Sequence, residues 1–334
     1  MSSLKKRINS IDLMRFFAAF AVVCVHCSGY FAESPIKAVS TGAVPLFFMI
    51  SGYFFMSSPA KSQKKSIRKI LILTVLTNLF FLLYGLVSAF AGKNISHFLT
   101  ESFSLKSIVS FMLLNDSPFG GHLWFLSALL YTMVICYFLD KLKINKKILV
   151  AVSIIFIAVD VIIGGYGKIF NLLVPLEYIR NFIFAGIPYF LIGGILKNAD
   201  LNKLNKYIPV VLLAIFAVTS LIEKNIMTIN NMTSNRIFYI SSPLIALFAF
   251  LTALKFPCNN GGKISSFIFG AGMKYSLAIY IIHPVVRNLM SGICKKLGVV
   301  NNVYTFIMPI AVFLVSMLIA FIYYKIKAKI ISSK

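Results

Sequence analysis

Acidic residues and histidines are scarce in this sequence. Its 334 residues include nine Asp and Glu and four His, beside 33 Lys and Arg. A metal site inside a membrane would need carboxylate or thiolate ligands beside its histidines. With so few acidic residues, the sequence offers no carboxylate at the depth of these histidines. The five cysteines show neither the spacing of a disulfide framework nor that of a zinc site. We therefore expect no disulfide and no bound metal.

Apolar residues are abundant instead, at 59% of the chain. Several runs approach the roughly 20 apolar residues that cross a bilayer. Because these runs are continuous rather than alternating, they favour helices and exclude a β-barrel. We predict an all-α, polytopic membrane helical bundle of about ten spans, at residues 13–31, 42–58, 70–91, 121–139, 148–164, 181–196, 208–222, 238–254, 272–289 and 303–324.

The basic residues follow these predicted spans. Lys and Arg concentrate in alternate loops, such as 61–69 and 141–147. Since basic loops remain in the cytoplasm, both termini are predicted to be cytoplasmic. The net charge of +24 then indicates topology and attraction to anionic membrane lipids, rather than a nucleic-acid partner. We expect residues 1–334 to form a single integral-membrane domain, with an uncleaved first span and no appended soluble domain.

The first span carries two ionisable residues, Arg15 and His26. Their spacing places them on one helical face, about 16 Å apart along the axis. Ionisable residues inside a span are costly and mark functional sites by default. Asp12 lies three residues before Arg15, so these two are neighbours on that face, and a helix-start acid paired with a snorkelling arginine is an alternative explanation. A hydrogen-bonded structural role is the alternative for His26.

Other spans hold further candidates. His122 opens the fourth span beside Trp124, the only tryptophan, and His283 lies in the ninth span before Pro284. On the predicted topology His26, His122 and His283 share the outer half of the membrane, but the sequence alone does not establish that they meet. Ser51 and Gly52 in the second span permit close helix packing.

In order along the chain, these motifs resemble the acyltransferase 3 family of integral membrane acyltransferases. The family's first-span pattern, an Arg, ten residues and a His, matches IDLMRFFAAFAVVCVH, and its second-span pattern matches VPLFFMISGYF. Further matches are Arg68 in a basic loop and the segments HLWFLSALL, IPYFLIGGIL and SLAIYIIHPVV. The resemblance therefore covers most of the chain.

The resemblance implies transfer of an acyl group, commonly acetyl, from cytoplasmic acyl-CoA to a sugar hydroxyl of a surface glycan. It implies a multi-pass protein of a bacterial cell membrane that uses acetyl-CoA as a co-substrate, without a resident cofactor. Expected partners are the acyl-CoA, a polysaccharide or lipid-linked glycan, membrane lipids and glycan-assembly proteins. His26 is expected to act as general base or covalent acyl relay, and Arg15 to hold a CoA phosphate. The remaining assignments are Arg68 and Lys274 to the donor, and Asp12, Ser51, His122, Trp124 and His283 to the substrate site.

One departure and one alternative remain. Some family members carry a glutamate shortly after the fourth-span tryptophan, where this chain has Leu129. Related membrane segments also occur in serine racemases and in biofilm-polysaccharide systems. A transporter that exports a glycan or moves a small solute, such as an amino acid, is therefore the competing hypothesis.

Overall fold

The computed structural model describes residues 8–27, 35–230, 232, 238–259, 261–299 and 302–332. These residues form helices and turns, and none of them lies in a strand. The α-helices, in chain order, are α1 (Asn9–His26), α2 (Pro35–Ser40), α3 (Ala43–Phe55), α4 (Ala60–Ala91), α5 (Ile95–Ser102), α6 (Leu105–Leu114), α7 (Trp124–Lys141), α8 (Lys146–Val159), α9 (Ile187–Lys197), α10 (Tyr207–Ile229), α11 (Ser241–Lys255), α12 (Lys263–Lys274), α13 (Ser276–Lys296) and α14 (Asn302–Ser332). The all-α prediction is thus confirmed for the described residues.

Within the described residues, eight helical segments are long and apolar enough to cross a membrane. They are Asn9–His26, Ile36–Phe55, Ala60–Ala91, Trp124–Lys141, Lys146–Gly165, Tyr207–Ile229, Ser276–Lys296 and Phe306–Ser332. The predicted sixth and eighth spans correspond to shorter apolar helices, Phe182–Lys197 and Ser241–Lys255. The former begins with a π-helical turn, Phe182–Gly186, in which the amides of Ile183 and Phe184 donate to the side chain of Asn181.

Two assignments made from the sequence were wrong in their local structure. Arg68 was expected in a basic loop, but α4 begins at Ala60, so Arg68 is an exposed helical residue. Lys and Arg are good helix formers, so the helix begins directly after Pro59 and includes the basic segment. Lys274 was expected inside the ninth span, but it is the exposed last residue of α12, and Tyr275 separates it from α13.

The chain divides into two compact units, of which the first comprises Met1–Phe47, Leu201–Lys224 and Ser241–Lys334. Here α1 packs against α2, α11, α12, α13 and α14. Helix α1 contains neither Gly nor Pro, which accounts for its uninterrupted course. The buried apolar core joins α1, α13 and α14 through Ala19, Val23, Cys27, Ile279, Val286, Met308, Val312 and Phe313.

Hydrogen bonds fix the direction of α11 beside α1. The Ser10 hydroxyl donates to the carbonyl oxygen of Ala253, near the end of α11. At the other end of α11, the hydroxyls of Ser242 and Thr41 lie 2.7 Å apart, and Thr41 directly follows α2. Helix α11 therefore ends where α1 begins.

The second unit comprises Phe48–Asp200 and Asn225–Ile240. Its helices α4 and α7 are antiparallel, since Gln63 donates to Asp140 at one end (3.1 Å) and the ring of Phe81 lies 4.6 Å from that of His122 at the other. Helices α3 and α9 cross with their backbones in contact. A Cβ at Gly52 would overlap the carbonyl of Phe190, which explains the small residues predicted to pack there.

Candidate active site

His26 and His283 meet in the first unit. Their ring centroids are 5.1 Å apart and the ring planes are inclined by 46°. His26 is the last residue of α1, whereas His283 is fully buried in the second turn of α13. Two of the three histidines predicted for the outer half therefore lie side by side. Their functional role stays a prediction.

The His283 ring also contacts its own helix. Its Nδ1 lies 2.8 Å from the carbonyl oxygen of Tyr280 and 3.2 Å from that of Ile279. A nitrogen that faces two carbonyl oxygens carries a hydrogen, because a carbonyl can only accept. This contact fixes the orientation of a ring that the sequence shows only as a histidine before a proline.

The opposite end of α1 carries Arg15. Its Nη1 donates to the carboxylate of Asp12 at 3.0 Å, as their spacing predicts. The Asp12 side chain is almost fully buried, while about a quarter of the Arg15 side chain (23%) is exposed. A buried carboxylate that bonds a partly exposed guanidinium holds it in one orientation, so Arg15 is accessible and fixed at once.

Helix α12 contacts α1 beside this ion pair. A Cβ at Gly272 would overlap the carbonyl oxygen of Asp12 and lie 3.0 Å from the amide nitrogen of Phe16. Lys274 follows two residues later and is exposed. The structure thus brings Arg15, Asp12 and Lys274, all predicted site residues, to the same end of the first unit.

Sequence reasoning missed Arg287. This residue lies one helical turn after His283, and its Nη1 donates to the carbonyl oxygen of His26 at 2.7 Å. The last carbonyls of a helix have no donor within the helix, and a cation is favourable at that end. Arg287 therefore caps α1 at the histidine pair. Its spacing of four residues from His283 was the signal available in the sequence.

Trp124 belongs to a polar cluster in the second unit, whereas His122, two residues before it, is buried against the ring of Phe81. Trp124 is buried at the start of α7, and the Arg180 guanidinium lies over its ring at 5.4 Å. Arg180 also donates to Asp116 at 3.4 Å. Burial raises the pKa of the Asp116 carboxyl above its usual value, and the Arg180 charge counteracts this in part. Sequence reasoning found the histidine and the tryptophan but neither member of the ion pair.

Asn115 holds this cluster together. It is fully buried, donates to the carbonyl of Trp124 (3.3 Å) and accepts from the amide of Phe182 (2.8 Å). Its φ of 57° is left-handed, a conformation that asparagine tolerates better than most residues. The remaining predicted residues of the second unit lie elsewhere: Ser51 is half-buried on α3, and Arg68 is exposed on α4.

Asp160 is a further buried acid that sequence reasoning did not single out. It begins a π-helical segment, Asp160–Gly165, at the end of the fifth predicted span, and it is fully buried. Single π-turns inside α-helices occur frequently at functional sites. An acid within a predicted span was the signal that would have identified it.

A protein-family comparison bears on these features. Residues 8–325 match the family model for the acyltransferase domain Acyl_transf_3. The chain belongs to the acyltransferase 3 family. The match extends over nearly all the described helices, so Arg15, His26 and His283 all lie within it. The sequence-based resemblance is thereby confirmed.

The curated relatives are named as racemases rather than as acyltransferases. An amino-acid racemase of Enterococcus faecalis is 28% identical over 327 residues, which make up 90% of this chain and 44% of the relative. A serine/alanine racemase of Enterococcus gallinarum is 24% identical over 326 residues, 88% of this chain and 43% of the relative. This acyltransferase 3 chain thus spans less than half the length of these two relatives. No solved structure matches it.

Proposed function

We propose that this chain is a membrane O-acyltransferase. It moves an acyl group, most simply acetyl, from cytoplasmic acyl-CoA to a hydroxyl of a cell-surface polysaccharide or its lipid-linked precursor. The observation that carries the proposal is α1 itself, a continuous apolar helix in an acyltransferase 3 chain with Arg15 near one end and His26 at the other. Such a helix can hold a charged donor at one membrane face and deliver its thioester towards the other.

The donor end is built around Arg15. Asp12 holds the guanidinium, whose exposed part contacts a phosphate of the CoA, and Lys274 adds a second cation at the same end. Asp12 therefore acts through Arg15 as a positioning residue. The donor role of Arg68, an exposed residue of the second unit, stays a prediction from the sequence.

The acceptor end is built around His26. As a neutral imidazole it takes the proton of the acceptor hydroxyl while the hydroxyl oxygen attacks the thioester carbon. The C–S bond then breaks, and the proton passes to the departing CoA thiolate. In the alternative, the imidazole takes the acyl group covalently and passes it on. The substrate role of His122, Trp124 and Ser51, which all belong to the second unit, stays a prediction from the sequence.

We further propose ten crossings and cytoplasmic termini, in a bacterial cell membrane. Helices α1 and α13 run in the same direction, because Gly272, just before α13, lies beside Asp12 and His283 lies beside His26. Parallel spans are separated by an odd number of other crossings. Five long spans lie between them in the described part of the chain, so either both short helices cross the membrane or neither does. The hydrogen bonds at the two ends of α11 favour its crossing, and hence that of Phe182–Lys197.

The test is transfer of radiolabelled acetyl from acetyl-CoA to cell-surface glycan, in membranes with matched amounts of folded protein. Loss of the general base in the His26→Ala variant is expected to lower the rate by about 10² to 10⁴. His97→Ala is the matched control, since His97 is an exposed residue of α5. Arg15→Ala is expected to raise the KM for acetyl-CoA. Full activity of folded His26→Ala protein would contradict the proposal.

A second function is favoured by the names of the curated relatives, which act on amino acids. In it, the chain is a transporter of a small solute such as an amino acid. Proteoliposomes with purified protein would take up labelled serine faster than protein-free liposomes. Uptake without acetyl transfer would favour this function, and acetyl transfer without uptake would favour the enzyme.

A further inference from the structure

Arg287 is held at the His26 end of α1 by hydrogen bonds to two residues. Its Nη1 donates to the carbonyl oxygen of His26 at 2.7 Å, and its Nε and Nη2 donate to the side-chain oxygen of Asn288 at 3.2 and 2.9 Å. The side chain is half-buried. Because a free arginine side chain loses much rotamer freedom when it is fixed, these bonds orient the guanidinium in advance for a further ligand.

The bonds of Arg287 use only part of its capacity. A guanidinium carries five N–H groups, and the three bonds use one on each nitrogen. One N–H on Nη1 and one on Nη2 therefore make no bond within the described residues. Two N–H groups on neighbouring nitrogens match two oxygens of one phosphate. The cap on α1 thus leaves Arg287 able to bind an anion as well.

The charge of this guanidinium is not neutralised by an acid in the part of the chain that the structure describes, where it bonds no carboxylate. The described acids of the first unit are Asp12 and Glu223. Asp12 bonds Arg15 at the opposite end of α1, and Glu223 accepts from the amide and the hydroxyl of Ser241. Glu33, the remaining acid of this unit, lies outside the described residues, so the experiments below include it.

The length of α1 places Arg287 at the level of lipid phosphates. Its 18 residues, at about 1.5 Å each, span about 27 Å, close to the roughly 30 Å of a hydrocarbon core. Because the Arg15 end is proposed to face the cytoplasm, His26 and Arg287 lie near the outer membrane surface. A lipid-linked glycan has its phosphate at this surface, between the lipid chain and the sugars.

We propose that Arg287 binds a phosphate group of the acceptor, next to the hydroxyl that His26 deprotonates. The inference rests on the proposed function and deepens it, since it makes the acceptor a phosphorylated glycan. The bond from Arg287 to the His26 carbonyl keeps the bound phosphate and the base at a fixed separation. The phosphate belongs either to the lipid carrier or to the glycan itself, and a phospholipid headgroup is the competing source of the same chemistry.

Binding of radiolabelled farnesyl phosphate to the purified full chain, in neutral detergent, tests the site without activity. Farnesol is the matched ligand, because it has the same chain and no phosphate. Arg287→Gln keeps a donor for the His26 carbonyl but loses the charge, and it should weaken binding about 10- to 100-fold. Lys295→Gln removes an exposed cation from the same helix and should bind like wild type. If wild-type protein binds farnesol as tightly as farnesyl phosphate, the proposal is overturned, whether or not Arg287→Gln folds.

Competitors identify the source of the phosphate. Stronger displacement by unlabelled farnesyl phosphate than by glucose 1-phosphate would support a lipid-linked acceptor, and the reverse order would support a phosphate within the glycan. Equal displacement by phosphatidylglycerol and farnesyl phosphate would indicate a headgroup site and overturn the proposal. Loss of binding in Arg15→Ala but not in Arg287→Gln would place the phosphate at the donor end, which also overturns it. So would binding that appears only in Glu33→Gln, because the Arg287 charge would then already be neutralised in the wild type.

The acetyl-transfer assay connects the site with the reaction. Farnesyl phosphate should inhibit wild-type transfer to cell-surface glycan, and added acetyl-CoA should not relieve this inhibition. Arg287→Gln should need about 10- to 100-fold more farnesyl phosphate for the same inhibition, with an unchanged KM for acetyl-CoA. A lower kcat with wild-type sensitivity to farnesyl phosphate would mean that Arg287 only caps α1, against the proposal. If wild-type protein transfers no acetyl group but binds farnesyl phosphate through Arg287, the proposed function fails and the phosphate site stands.

Discussion

Gly272 allows α12 to touch α1 at the donor end, and its replacement by alanine should damage that end selectively. The added Cβ would overlap the Asp12 carbonyl oxygen and lie 2.9 Å from its carbonyl carbon. Both are backbone atoms, so no side-chain rotation relieves the overlap. The helices must separate by on the order of 1 Å. Asp12 holds Arg15 through a 3.0 Å ion pair, so this movement displaces the guanidinium.

The magnitude follows from two known costs. Overpacking of a close contact destabilises a protein by about 1 to 3 kcal/mol. A misplacement of about 1 Å in a binding group costs up to roughly 100-fold in rate. We therefore expect Gly272→Ala to lower the unfolding temperature and to raise the KM for acetyl-CoA, measured by thermal unfolding in detergent and by acetyl transfer.

Gly270→Ala is the matched control. Gly270 lies two residues earlier in α12, and no atom is within 4 Å of the position that its Cβ would occupy. Alanine is favoured over glycine inside a helix by up to about 1 kcal/mol, so this variant should be as stable as wild type or more so. If Gly272→Ala matches Gly270→Ala in both stability and KM, the close contact does not support the donor end.

Two further predictions concern the second unit. Because burial raises the pKa of Asp116 above its ordinary value of about 3.9, the folded protein retains a proton that the unfolded chain has already released. The unfolding free energy should therefore fall as the pH rises from the ordinary pKa of an aspartate to the raised pKa of Asp116 in the folded protein. Asp116→Asn should remove this pH dependence, measured as the unfolding free energy at a series of pH values. Asn115→Ala removes a fully buried side chain and leaves the partly buried amide of Phe182 without its acceptor, which should cost about 1 to 3 kcal/mol in a denaturation experiment. Asn171→Ala is its control, since Asn171 has the same left-handed φ but is exposed, and equal losses in the two variants would mean that backbone strain alone is measured.

The sequence predicted features that depend on local spacing. The pairing of Asp12 with Arg15 and the continuous helix that joins Arg15 to His26 both follow from helical periodicity, and both are present. The meeting of His26 and His283 needed more than periodicity. Two histidines 257 positions apart become neighbours only when α1 and α13 pack together, a contact that their hydrophobicity permits but does not specify.

Other features could not be predicted because one sequence pattern is compatible with two different local structures. A run of lysines between spans is compatible with a loop or with the first turns of a helix, and in α4 the helical preference of those residues prevailed, so Arg68 is helical. The break between α12 and α13 at Tyr275 could not be predicted, because no proline marks it in the sequence. Arg287 and Arg180 were missed because each acts through a partner on another segment, His26 in one case and Asp116 in the other.

The interruption at Tyr275 leads to a last prediction about how the two ends of the site are coupled. Arg15 and His26 are eleven residues apart, and so are Gly272 and His283, so the second segment follows the first over the same distance. Gly272 belongs to α12 and His283 to α13, with Tyr275 between them. If α12 and α13 move independently of each other at that turn, Gly272→Ala should raise the KM for acetyl-CoA. It should then leave the hydrogen of His283 on Nδ1, as in the wild type. If α12 and α13 move as one body, the same variant should also alter the nitrogen NMR signals of His283 in histidine-labelled protein. The donor and acceptor ends would then be coupled through this segment.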